Sequence, residues 1–84
     1  MPLWWLSFCD ADRPVGSQFL GACMVRAEGI VLACAEAHRL GINPGGEVQG
    51  FEALAERAAM VPERWVGRLL TRAECEAFDA EMER

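Results

Sequence analysis

The stretch RLGINPGGEVQG, residues 39–50, decides how the rest of the chain is read. An alanine-rich segment with helical spacing precedes it, and a strand-like segment follows it. Gly41 stands where the left-handed cap of a helix belongs, and Pro44 bars that helix from continuing. The stretch therefore joins a helix to a strand. One glycine suffices for such a turn, yet Gly45 and Gly46 both follow Asn43 and Pro44. Two adjacent glycines leave backbone without side chains, a concavity that can hold a phosphate or carboxylate through its N–H groups. Turn and binding loop are both open readings.

Upstream, Glu28–Leu40 is expected to be helical. Ile30, Ala33, Cys34, Ala37 and Leu40 cluster on one side of the wheel, with Val31 and His38 at its edge. Glu28, Glu36 and Arg39 lie opposite. Leu32 falls among the polar positions and hints at a second contact surface. Leu3–Cys9 alternates as a strand, with Trp4, Leu6 and Phe8 on one face and Leu3, Trp5, Ser7 and Cys9 on the other. Bulk on both faces predicts burial on two sides. Phe19–Arg26 is a second apolar run, and an antiparallel pairing of the two is the simplest arrangement. Gly21 within it marks a bulge or a close approach of another segment.

Downstream, Glu47–Glu52 reads as a third strand. FEALAERAAM has helical character, and Pro62 opens a turn-like segment ending in RLL. Thr71 and Glu74 have the spacing of a capping box, which opens a last helix to about Met82 with Cys75, Phe78 and Met82 facing inward. The expected fold is α+β, with a small three-stranded antiparallel or mixed sheet of order β-β-α-β. One helix packs on the sheet, and a helical C-terminal segment follows. The chain reads as a single domain, residues 1–84, with a core over 1–53 and the helical segment over 54–84.

A chain of 84 residues buries only about 60% of the surface its unfolded form exposes. Its hydrophobic fraction is nevertheless 52%, with three tryptophans and four phenylalanines, so some apolar surface is expected to face another copy of the chain. The net charge is −5 and every Lys or Arg position is Arg. After residue 46 nine acids face five arginines. Such a chain lacks the basic stripe that phosphate backbones require, which speaks against nucleic acid. The start MPLWWLSF has no basic flank and is too short to span a bilayer, so neither a signal peptide nor a membrane helix is expected, and the expected location is the cytoplasm. Four cysteines without a CxxC pair and a single His argue against structural zinc and for reduced thiols in a core.

Catalytic parts are scarce. Cys34 and His38 form an i,i+4 pair that could touch, but Cys34 points into the apolar stripe, where a thiol is usually inert. No orienting acid is evident. The expectation is a protein that is not an enzyme and needs no cofactor or metal. The candidate ligand site is Asn43, Gly45, Gly46 and Glu47, with Arg39 and Arg13 supplying charge-assisted hydrogen bonds and Trp5 a stacking face. It would lie where the residue 10–18 loop meets the 41–47 loop. Glu47 would repel a bare phosphate but could accept hydrogen bonds from a ribose or a base edge. The loop lacks GKS or GKT and follows a helix, so it is neither a Walker A loop nor a dinucleotide fingerprint.

The pattern WWLSF…FLGA…GINPGGEV…RLLTRAE resembles a group of small bacterial and phage-type proteins with no established activity, and it brings no catalytic residues. In kind, the chain is also similar to compact oligomeric phage proteins that sequester nucleotide immune signals in pockets between subunits. Two readings follow. The first is a homo-oligomeric binder of a phosphate- or nucleotide-type ligand, a sponge acting near residues 41–47. The alternative is a protein-interaction module using the acidic C-terminal segment, with Trp65, Phe78 and the RLL turn at the contact.

Overall fold

In a computed structural model, which describes residues 1–83, Leu3–Cys9 forms β1, and its alternation sorts the molecule into two layers. Leu6 and Phe8 face one side, buried with Cys23, Val25, Ala27, Ala33 and Ala37, and Trp4 packs against them. Leu3 faces the other side with Met24, Trp65, Leu70 and Phe78, and Trp5 packs there. Both faces of this strand are covered, as its sequence predicts.

Phe19–Arg26 (β2) and Glu47–Glu52 (β3) flank β1 in the order β2-β1-β3, each antiparallel to it. The architecture is α+β, with a three-stranded antiparallel sheet. The outer strands therefore run parallel to each other, joined by α1, Ile30–Arg39. The β1–β2 register slips between Phe8 and Cys9, whose partners are Gly21 and Phe19. Gly21 lies at this bulge, and a Cβ on it would come within 2.7 Å of Leu69 Cδ1. Bulge and close approach coincide there.

The helix α1 begins at Ile30 rather than Glu28. Gly29 is fully extended at φ −168° and ψ 173°, and its carbonyl accepts the N–H of Ala33 at 2.9 Å. At the other end the Gly41 N–H donates to the His38 carbonyl and the Ile42 N–H to the Ala37 carbonyl, both at 3.0 Å. These two bonds make a Schellman cap, and φ +73° at Gly41 is what permits it.

After β3 come a single helical turn, α2, at Ala55–Ala58, a 3-10 turn at Glu63–Trp65 and the helix α3, Arg72–Met82. The capping box is present: Thr71 Oγ1 accepts from the Glu74 N–H at 3.2 Å, and the Glu74 carboxylate accepts from the Thr71 N–H at 3.0 Å. The segment before α3 binds the outer edge of β2. Gly67 donates to the Met24 carbonyl at 2.8 Å, and Ala22 and Leu70 exchange bonds of 3.1 and 2.6 Å. The C-terminal segment thus builds the second core layer together with Leu3 and Met24. Trp65 staples it: Nε1 donates to Glu81, and the Arg64 and Arg68 guanidinium groups lie 5.4 and 5.1 Å from the ring centre.

Candidate functional site

The loop after α1 closes on itself. Asn43 Oδ1 accepts the Gly45 N–H at 2.9 Å, an Asx turn that uses one of the donors a ligand would need. Gly46, at φ +76°, lies so near β1 that a Cβ there would overlap the Cys9 carbonyl. Its neighbour Glu47 opens β3 opposite Cys9. The two glycines of the opening stretch therefore have unequal roles. Gly45 faces open space, whereas Gly46 seats the loop against the sheet end.

Of the remaining residues read as part of that site, both arginines pair with acids close in sequence and Trp5 lies elsewhere. Arg39 pairs with Glu36 one turn back on α1. The Arg39 bond holds the Glu36 carboxyl below its ordinary range, and Glu36 in turn raises Arg39. Arg13 lies 3.7 Å from Asp10 within its own loop. Trp5 stands opposite Phe51, four positions along β1 from Cys9, or roughly 13 Å at the rise of a strand. It stacks on Phe78 of α3, with ring centres 5.8 Å apart and planes 27° apart. Asn43, Gly45, Gly46 and Glu47 thus sit together by chain continuity, and Trp5 sits elsewhere.

Trp5 instead lines a cavity of about 150 Å³ between the sheet, α2 and α3. Phe51, Ala53, Val61, Phe78 and Met82 supply most of its apolar wall, and Arg57 and Asp79 are its charged members. A space of that size holds a group as large as a benzene ring. Phe51 is 62% exposed, and Leu54 and Met60, three and nine residues further along the chain, are 68% and 65% exposed. Large apolar side chains left in water next to a hollow mark an interaction surface. Glu76 and Arg72 share a neighbouring hollow with Trp5 and Asp79, whereas Glu52 stands opposite Trp4 and so faces the α1 side of the sheet. Neither Glu76 nor Asp79 has an ion-pair partner among the described residues.

Sequence reasoning missed Phe51, Arg57 and Val61. The signal was the run FEALAERAAM, whose apolar residues share no single helical face. It also misplaced the contact on the C-terminal segment. Trp65, Phe78 and Leu70 are buried, at 8%, 6% and 0% exposure, because they fill the second core layer.

His38 is exposed and Cys34 half-buried, and no hydrogen bond joins them among the described residues. Burial, with Cys34 nearby, pushes the Cys23 thiol up to about 11. Among the described residues no group of three or more His, Cys, Asp or Glu is placed to hold a metal ion. No described helix is long and apolar enough to cross a membrane. No family model matches the chain, and no curated protein or solved structure is significantly similar to it.

Proposed function

We propose that this protein is a non-enzymatic interaction module whose cleft between β3, α2 and α3 takes a bulky apolar side chain from a segment of a partner protein. The observation that carries this is the apolar cleft itself, open to solvent beside an exposed Phe51. Its volume suits one large side chain, an anchor of the kind that dominates interface energies. Arg57 and Asp79 are the charged groups of its wall, so a charge of either sign beside the anchor finds a partner there.

The phosphate reading draws less support from the loop. Asn43 already holds the Gly45 N–H, and Arg13 and Arg39 each have a carboxylate of their own.

Panning a randomised peptide display library against the immobilised full chain tests the proposal. Enriched peptides should share a bulky apolar residue. Phe51→Ser should weaken them by roughly tenfold or more, the loss of one anchor contact. No enrichment, or peptides indifferent to Phe51→Ser, would count against it. Cyclic and linear nucleotides offered by thermal shift supply the opposing arm. Stabilisation by one of them that survives Phe51→Ser and disappears in Asn43→Ala favours the loop instead.

A further inference from the structure

The two edges of the sheet are treated differently. Residues 67–70 cover the outer edge of β2 through bonds to Met24 and Ala22. Along β3 the parity of the ladder shows which groups point outward. The Ala53 N–H donates to the Leu3 carbonyl at 2.9 Å, so Leu3 and Ala53 form a hydrogen-bonded pair. By alternation the pairs Trp5–Phe51, Ser7–Gln49 and Cys9–Glu47 are bonded as well. The N–H and C=O groups of Val48, Gly50 and Glu52 therefore face away from β1. They have no backbone partner among the described residues.

We infer that two copies of this chain join through this edge, β3 against β3, about a two-fold axis normal to the sheet that passes midway between the Gly50 residues of the two copies. Such an axis makes the strands antiparallel and pairs residues whose numbers add to an even total. Centred on Gly50, it sets Val48 opposite Glu52 of the second copy, Gly50 opposite Gly50, and Glu52 opposite Val48. Each outward N–H then meets a C=O, and the result is a continuous six-stranded sheet. The edge glutamates do not meet each other in this register: Glu52 faces Val48 and Glu47 faces Ala53. Other centres on the strand leave outward groups of this set unmatched.

Three further observations favour a second copy as the occupant. Gly50 has no side chain, and Leu6 and the Ile30 tip of α1 already occupy the place where one would go, 2.7 and 3.0 Å from an added Cβ. At the axis the two copies therefore bring no side chains against each other. Apolar side chains flank the edge on both faces: Ile30 and Val48 on the α1 side, 40% and 39% exposed, and Phe51 on the other. Finally, the chain exposes 5415 Å², against about 5,000 Å² for a monomer of its mass. The pairing does not depend on what occupies the cleft, and it places the clefts of both copies on the same side of the joint sheet.

Charge variants at Val48 test the register in sedimentation velocity or light scattering across the micromolar to millimolar range. The wild type should reach twice the chain mass. Val48→Glu opposes Glu52 twice per dimer and should weaken association by roughly tenfold, whereas Val48→Lys gains the same carboxylate and should associate at least as well as wild type. Val48→Pro removes an outward donor while leaving the bonds to β1, and should yield monomer with an intact circular dichroism spectrum. A wild type that stays monomeric overturns the inference, including one that binds an extended peptide along β3. So do equal losses in Val48→Glu and Val48→Lys, or a dimer that survives Val48→Pro.

Discussion

Trp5 of β1 lies against Phe78 of α3, and Phe78 in turn meets Trp65 edge-on, with both pairs of ring centres 5.8 Å apart. This three-ring stack ties the first strand of the chain to its last helix. Each ring removes a large apolar area from water, and the offset geometries add a further contribution. Leu3, Met24 and Leu70 complete the buried layer on that face.

Phe78→Ala removes the middle ring and leaves a void between the other two. The expected loss is about 3–5 kcal/mol, the range for buried aromatic truncations. That is a large share of the stability of a domain this size. Urea unfolding followed by tryptophan fluorescence measures it, and a change below about 1 kcal/mol would show that α3 contributes little to the fold.

The glycines after Pro44 should separate in their tolerance. Gly45→Ala meets no neighbour and costs only the strain of a positive φ, about 1 kcal/mol. Gly46→Ala adds a collision with the Cys9 carbonyl and should lower the melting temperature clearly further. At about 4–8 °C per kcal/mol for a domain of this length, calorimetry resolves the two. Equal effects would mean that the loop does not seat on the sheet as described.

Acid should loosen the start of α3. The Thr71 N–H, and beyond it Arg68, hold the Glu74 carboxyl below its ordinary 4.5. A carboxyl depressed on folding contributes stability that is present above its unfolded pKa and is lost as pH falls through the folded one. Unfolding measured from pH 7 down to about 3 should therefore show a decline below about pH 4.5 that Glu74→Gln makes shallower. A Gln variant with an unchanged pH profile would place the acid sensitivity elsewhere.

The four thiols should react in a fixed order. Cys9 is exposed, Cys34 and Cys75 are half-buried, and Cys23 is buried. Burial raises the Cys75 thiol, and raises Cys23 to about 11. Thiolate is the reactive form. A colorimetric thiol reagent on native protein should label Cys9 first and reach Cys23 only on unfolding. Early labelling of Cys23 would reveal an opening of the α1 layer.

Much of the fold was legible because its signals are local. Alternation in Leu3–Cys9, the Thr71–Glu74 spacing and the Gly41 stop each depend on neighbours within a few residues. The helix α1 starts two residues later than its periodicity predicts, because Glu28 and Gly29 carry no strong stop in sequence and only the extended Gly29 backbone excludes them.

The candidate site was less legible. Asn43 and the glycines were visible as a motif, but which donors they spend on themselves depends on geometry. The arginines read as ligand groups had acids close in sequence, Asp10 and Glu36, that claim them.

By itself, then, the sequence determined the α+β order of elements, the two-sided burial of β1 and both helix caps, since periodicity and capping act over a turn or two of chain. Only the tertiary structure decided that Trp65, Leu70 and Phe78 are core while Phe51 stays in water, and that β2 is covered while the edge of β3 stays open. Those outcomes depend on where residues far apart in the chain meet. Burial is a property of that meeting and not of the residue alone.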